Sequence, residues 1–311
     1  MRPNLLIIAP GKWSSRLVEH AKSGAANVIV HGQDNYRPES IDYVLSFRPP
    51  PGLLKSLPNL KAVFSLGAGV DGFLLGGDYP QSIPLVRFVD ASLSAEMTQF
   101  VLMHVLIHHR CQRLFDDGQR RREWRQMLLP RRTEDTRVGL LGLGEIGSMV
   151  SSRLGELGFQ VSSWTRSRKS IPNLKSFAGD GELASFLGQA DIVVCLLALT
   201  KETTGILNAR AFAAMPKGGF VINVARGGHL VENDLVEALD SSHLSGAVLD
   251  VFETEPLPQT SPLWTHPKVT VTPHIAAISQ PQVAAQYVLG GIAKFERGEK
   301  PENIVDVSRG Y

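Results

Sequence analysis

Short, dominantly apolar runs punctuate the first third of the chain at 5–9, 27–31, 43–47 and 62–65, and an amphipathic stretch over 14–23 follows the first of them. Runs of that length suit parallel strands covered on both faces, and their alternation with a helical pattern reads as a small α/β unit. From 94 to 122 the pattern lengthens into one proline-free helical stretch, apolar at its start and weakened only at Gly118. It ends on Arg120, Arg121 and Arg122, the arrangement of a solvated helix terminus whose cations meet the negative end of the dipole. A second α/β series opens at 137, with strands expected over 138–141, 160–164, 192–197, 220–223, 246–249 and 269–272. A helix is expected over 146–157, and a terminal helix over 281–298. The two series look like two related open sheets.

At 311 residues there is material for about two domains, and 43% hydrophobic with 20% charged residues is the balance of a globular protein. A formal charge of +2 gives no field that would recruit nucleic acid or an acidic membrane, so neither is an expected partner. No apolar run is long enough to span a bilayer, and residues 1–10 lack the pattern of a secretory signal. The cytoplasm is the expected compartment. Cys111 and Cys195 are the only cysteines; they read as buried packing residues, too few for a zinc framework. His104 and His108 have the i, i+4 spacing of a helical metal pair, but no third ligand accompanies them and no metal is expected.

Gly142-Leu143-Gly144-Glu145-Ile146-Gly147 is a G-x-G-x-x-G run between an expected strand and an expected helix. In that context Gly142 permits a tight turn, Gly144 lets backbone approach a pyrophosphate, and Gly147 lets helix and strand pack closely. The N–H groups opening the helix, those of Glu145 and Ile146 among them, would receive the pyrophosphate. An NAD site places a carboxylate at the end of the next strand. Here that place holds Thr165, Arg166, Ser167, Arg168 and Lys169. A carboxylate would repel a 2′-phosphate whereas an arginine fork grips one, so the expected cofactor is NADP, with NADPH preferred over NADH.

Three further segments sit just past expected strands: Asn223-Val224-Ala225-Arg226-Gly227, Asp250-Val251-Phe252 leading to Glu255-Pro256, and Thr272-Pro273-His274-Ile275-Ala276-Ala277. In open parallel sheets ligands bind outside the carboxyl ends of strands, so all three could converge. With the glycine run, these segments resemble the D-2-hydroxyacid dehydrogenase family along nearly the whole chain. Leu66-Gly67-Ala68-Gly69-Val70-Asp71, Ser167-Arg168-Lys169-Ser170 and Arg309-Gly310-Tyr311 make the chain most similar to that family's glyoxylate/hydroxypyruvate reductase A group.

The resemblance implies two doubly wound parallel-sheet α/β domains with a cleft between them. A flavodoxin-like substrate-binding domain would comprise 1–98 and 279–311, and a Rossmann cofactor domain 99–278. It implies a reductase of small 2-keto acids, with glyoxylate and hydroxypyruvate leading. His274 would be the proton donor, and Glu255 would bond its other ring nitrogen and favour its charged form; Glu253, two residues away, competes for that role, but the Pro256 that follows favours Glu255 by the family's register. Arg226 would hold the substrate carboxylate and polarise the ketone. Asp250 would bond the nicotinamide amide, and Ala225 and His274 would also line the cofactor. Gly67, Ala68, Gly69 and Val70 would offer backbone N–H groups to a carboxylate. Arg48 either reaches the substrate or is a surface cation. Trp124 either caps the substrate pocket or packs in core or interface. The chain departs from many relatives in having Ala198 where they place a proline before Leu199-Thr200, a change expected to alter loop stiffness more than chemistry. The helical stretch over 94–122 suggests a homodimer surface. Other 2-keto acid substrates, or a cofactor-sensing binding protein on the same fold, are the alternatives.

Overall fold

A computed structural model describes residues 2–9, 11–21, 24, 26–172 and 174–311; Lys22 and Ser23 of the expected first helix lie outside them. The chain divides into two compact units, Met1–Leu93 with Ile278–Tyr311, and Ser94–Ala277.

The first unit carries β1 (Asn4–Ile8), α1 (Gly11–Ala21), β2 (Asn27–Val30), β3 (Tyr43–Ser46), β4 (Ala62–Ser65), the single turn α2 (Asp71–Leu74) and β5 (Leu85–Val86). All its strands are parallel, in the order β2-β1-β3-β4-β5. β5, absent from the sequence reading, is two residues long, too short to leave a periodicity. Leu6, Val44, Val63 and Leu85 pack with Leu54, Leu57 and Phe73 on one face. The terminal helix, Pro281–Glu296, belongs to this unit. A Cβ on Gly291 would stand 2.5 Å from the Phe64 ring, so helix and sheet meet closely there.

The second unit begins in α3 (Ala91–His109), followed by α4 (Gln112–Arg121). The expected single helix is therefore two, and the break is at Cys111 rather than Gly118. Cys111 takes the left-handed conformation (φ 54), which ends the helical hydrogen-bond ladder. Gly118 lies inside α4, where its missing Cβ lets Glu123 O and the Arg125 side chain approach. Cys111 is accordingly only half-buried, a correction to the expectation of two buried thiols, whereas Cys195 is fully buried. His108 stacks on Phe220 with ring centroids 3.9 Å apart, and burial pushes its imidazole down to about 4. His104 packs against Phe100 at 4.4 Å.

Then follow β6 (Arg137–Leu141), α5 (Glu145–Glu156), β7 (Gln160–Thr165), β8 (Lys175–Ala178), α6 (Asp180–Leu187), β9 (Ile192–Cys195), α7 (Ala209–Ala214), β10 (Gly219–Asn223), α8 (Glu232–Asp240), β11 (Leu244–Leu249) and β12 (Val269–Val271). These seven strands form one parallel sheet in the order β12-β11-β10-β9-β6-β7-β8. Counted from β6, this is the dinucleotide-binding order, and the strand order reverses between β6 and β9. β8 escaped the sequence reading because it is an edge strand with Phe177 its only fully buried residue. The central strands are largely apolar because both faces are covered, and β9 is apolar at every position. Ile192 and Val194 join one core with Val138, Leu140 and Ile222, while Val193 and Cys195 join the opposite core with Leu141 and Val221.

The register carries a further regularity. Phe177, Trp164, Leu141, Cys195, Asn223, Leu249 and Val271 are successive partners across the sheet. The carboxyl ends of the strands are therefore level, and each candidate segment of this unit starts from the same rim.

Candidate functional site

At the rim of β6, Gly142 has φ +101, a conformation that favours glycine, and a Cβ there would stand 2.8 Å from Leu196 O. A Cβ on Gly147 would stand 2.4 Å from Gly142 O, so the start of α5 rests directly on the turn. Gly144 differs. It is the exposed N-cap of α5, no side chain caps the helix there, and a Cβ would meet nothing within 4 Å. Open space above unsatisfied N–H groups at the positive end of a helix is what a pyrophosphate requires, so these residues fit the expected dinucleotide.

At the end of β7, Thr165 is buried and its Oγ1 donates to Ser167 O at 2.7 Å, shaping the turn that exposes Arg166, Ser167 and Arg168. The Arg168 guanidinium donates to Ser176 O and to Glu182 of α6. Glu182 also accepts the Ala178 N–H at 2.7 Å, a bond that, with Arg168, holds its carboxyl below the usual carboxylate range. The turn has cations and hydroxyls where an NAD site has a carboxylate.

Past β10, the fully buried Asn223 accepts the Ala225 N–H at 3.2 Å and donates to Arg226 O at 3.0 Å. The Arg226 guanidinium donates through Nη1 to Ala225 O at 2.6 Å. A Cβ on Gly227 would lie 1.8 Å from the carbonyl carbon of Phe252, so the arginine turn and the loop after β11 touch backbone to backbone.

That loop delivers Glu255. One carboxylate oxygen accepts the Phe252 N–H at 3.0 Å and the other meets His274 Nδ1 at 2.8 Å. Of the two candidate glutamates it is thus Glu255 that faces the histidine. Burial pushes the Glu255 carboxyl up, but the His274 ring, the Phe252 N–H and the charges of His274 and Arg226 together hold it below the usual carboxylate range. It is therefore ionised at neutral pH, and its attraction for a cationic ring is lost only as pH falls through that lowered value. A carboxylate accepts only, so Nδ1 carries hydrogen and His274 has Nε2 left for other chemistry.

His274 itself has φ 54, and its N–H donates to Asp250 O at 2.8 Å. The Asp250 carboxylate, 1% exposed, accepts Thr272 Oγ1 at 2.6 Å and the N–H groups of Ile275 and Ala276, both at 2.9 Å. Sequence reasoning gave Asp250 only a cofactor role. The structure adds that it ties down both sides of the histidine turn. Oδ2 accepts one of those bonds and Oδ1 two. The paired Thr272 was a signal available beforehand, as a hydroxyl just before Pro273 at a strand end. The loop holding Ala198 is stiffened without proline: Thr203 Oγ1 donates to Ala198 O and accepts the Thr200 N–H, each at 2.8 Å.

In the first unit, Ala68, Gly69 and Val70 have N–H groups with no acceptor among the described residues, and Ser65 Oγ donates to Gly67 O at 2.8 Å. The exposed Arg48 lies beside Gly72, whose added Cβ would stand 3.3 Å from Arg48 Cβ.

Residues 102–276 match the model of the D-isomer specific 2-hydroxyacid dehydrogenase NAD binding domain. The chain is 43% identical over 305 residues to a glyoxylate/hydroxypyruvate reductase A of Serratia proteamaculans, covering 96% of each chain. A D-isomer specific 2-hydroxyacid dehydrogenase of Xanthobacter autotrophicus Py2, solved in complex with NADPH and MES, is 39% identical with a TM-score of 0.89, covering 99% of each chain. An NADPH-dependent glyoxylate/hydroxypyruvate reductase of Sinorhizobium meliloti, solved in complex with NADP and sulfate, is 36% identical with a TM-score of 0.91, covering 100% of each. The level sheet rim, its glycine turn and its His–Glu pair agree with these matches: the chain belongs to the D-isomer specific 2-hydroxyacid dehydrogenase family.

Proposed function

We propose that this chain is an NADPH-preferring reductase of small 2-keto acids, converting glyoxylate or hydroxypyruvate to glycolate or glycerate. The observation that carries the reading is the His274–Glu255 pair at 2.8 Å on the same sheet rim as Arg226 and the glycine turn. The names of the Serratia and Sinorhizobium relatives support the substrate class, and the bound NADPH and NADP of the solved relatives support the cofactor. Gly142, Gly144, Glu145, Ile146 and Gly147 would hold the pyrophosphate, Thr165, Arg166, Ser167 and Arg168 the 2′-phosphate end, and Ala225, Asp250 and His274 the nicotinamide end.

The reduced nicotinamide supplies a hydride for C2 of the keto acid. Arg226 draws negative charge toward the carbonyl oxygen and binds the carboxylate, so its attraction strengthens as the alkoxide develops. His274 gives the proton from Nε2 to that oxygen, while Glu255 keeps the ring oriented and favours its charged form. The N–H groups of Ala68, Gly69 and Val70 are donors suited to a carboxylate. Arg48, which neighbours that loop, is a candidate second cation for an anionic ligand.

Steady-state rates on a panel of 2-keto acids, each with NADPH and with NADH, test the reading. Glyoxylate and hydroxypyruvate should lead, with NADPH the better donor; no turnover of any keto acid would leave only a cofactor-binding protein. Cofactor choice has its own test. A charge-assisted hydrogen bond contributes about 1.5–3 kcal/mol, so the double change Arg166→Gln and Arg168→Gln should raise the KM for NADPH roughly tenfold or more. The KM for NADH should change much less, and equal effects on both cofactors would remove the argument.

The proposed assembly is a homodimer through the second unit. Trp124 and Leu128 are 95% and 92% exposed, and Leu114 and Met127 of the same part of the chain are exposed as well. Side chains of that size are rarely left to water in a stable monomer. Light scattering should give twice the chain mass, and a monomeric mass would contradict the assignment. No helix among the described residues is long and apolar enough to cross a membrane.

A further inference from the structure

The backbone carbonyl of Arg226 gathers three donors. Asn223 Nδ2 reaches it at 3.0 Å, the His229 N–H at 3.2 Å, and the His229 ring nitrogen Nδ1 at 3.2 Å. Two of these come from one residue, and His229 is completely buried. We propose that His229 is a positioning residue for Arg226, an inference that rests on the reading of Arg226 as the residue that binds the substrate carboxylate.

A carbonyl accepts and never donates, so the contact requires hydrogen on Nδ1. Nε2 has no hydrogen-bond partner of good geometry among the described residues, and although burial pushes the imidazole down, Cys195 and the Ala198 and Arg226 backbones beside the ring hold it above the usual histidine range. An apolar side chain of similar volume would fill the space without leaving a buried polar atom unpaired. Packing alone therefore gives no reason for an imidazole here, whereas its polar contacts do, and of these the Nδ1–H bond is the one that reaches Arg226. His229 is itself well anchored. It ends the turn Gly227–His229, its carbonyl accepts the Leu207 N–H at 2.9 Å, and Leu207 pairs with Leu230 in an isolated bridge. The ring thus transmits the rigidity of the Leu207 segment to the one peptide from which the arginine projects. The guanidinium lies at the end of a long side chain, so a small rotation of that peptide displaces it by a larger distance.

The test compares His229→Leu, His229→Asn and His229→Gln with Arg226→Gln, using glyoxylate as substrate and a fluorescence titration for NADPH. The nitrogen of Asn, like Nδ1, is bonded to Cγ and can occupy nearly the same place; that of Gln is one bond further out. Misplacement by about 1 Å costs on the order of 100-fold in a positioned reaction, so His229→Leu should lower kcat/KM for glyoxylate roughly 10- to 100-fold, chiefly through KM. The Kd for NADPH should stay within about twofold. Asn should recover most of the loss and Gln should not. Added to Arg226→Gln, the Leu change should cost less than about twofold more, because the two act through one group. Wild-type KM in His229→Leu, or KM for glyoxylate and Kd for NADPH worsening together, overturns the inference. So does equal impairment by Asn and Gln, a comparison that decides the matter alone should the Leu variant fail to fold. Failure of the underlying reading looks different: Arg226→Gln would then keep its KM for glyoxylate.

Discussion

His274→Ala is expected to lower kcat for glyoxylate reduction by roughly 10²–10⁴-fold, the range over which a positioned proton donor accelerates a reaction. The argument starts from the ring's fixed orientation. The Nδ1 side is engaged by Glu255 at 2.8 Å, and the backbone at φ 54 is held by the N–H bond to Asp250 O, so Nε2 is the nitrogen left to give a proton. Near-normal turnover would refute the assignment. Glu255→Gln should be milder and should change the pH profile. The carboxyl of Glu255 is held below the usual carboxylate range, so the wild-type protein presents an anion to the ring at every pH near neutrality. A neutral amide gains no proton at acid pH, so the fall of kcat on the acid side, where wild-type Glu255 is protonated, should disappear. A profile whose acid limb does not change would mean that the 2.8 Å contact is not what sets the acid-side loss.

Gly227→Ala is expected to be nearly as damaging, though residue 227 has no functional group. The added methyl would be placed 1.8 Å from the Phe252 carbonyl carbon, 2.0 Å from its oxygen and 2.3 Å from Glu253 N. These are main-chain atoms, which cannot swing aside as a flexible side chain would. The arginine turn and the Glu255 loop must separate, and overpacking of this kind costs about 1–3 kcal/mol or more. The melting temperature should fall by about 5 °C or more. A shift of about 1 Å in the groups on either side should lower kcat/KM roughly 100-fold. Gly144→Ala provides the contrast. Its methyl meets nothing within 4 Å, so the melting temperature should scarcely change while NADPH binding weakens, since the methyl occupies the space above the helix N-terminus. A thermally normal Gly227→Ala protein, or a Gly144→Ala protein that melts early, would show that the two glycines had been assigned the wrong duties.

Much of this site was legible from residue order. The glycine run, Arg226 and His274 stand directly after apolar strands, and parallel sheets put such positions at one rim. The central strands were equally plain because both faces are buried and their runs are almost wholly apolar. β8 was not, since an edge strand with a single buried residue leaves no run to read. The helix break at Cys111 was also hidden, because a non-glycine residue in the left-handed conformation carries no compositional mark. Pro256 already favoured Glu255 over Glu253, but its contact with His274 needed coordinates, as did the bond from Arg168 to Glu182 and the second duty of Asp250. Each depends on which residues distant in sequence become neighbours. His229 escaped notice for the opposite reason: a histidine beside two glycines looks like surface, and only its complete burial gives it significance.

The level register of Phe177, Trp164, Leu141, Cys195, Asn223, Leu249 and Val271 separates anchoring from reach. Every reactive group of the second unit hangs from that common baseline by a loop of its own. Lengthening or shortening one loop changes how far a single group extends, and the remaining groups keep their footing. Substrate range could therefore drift by alterations to one segment while the grip on the nucleotide persists, and an engineer seeking a bulkier keto acid would begin with such a loop and leave the strands alone.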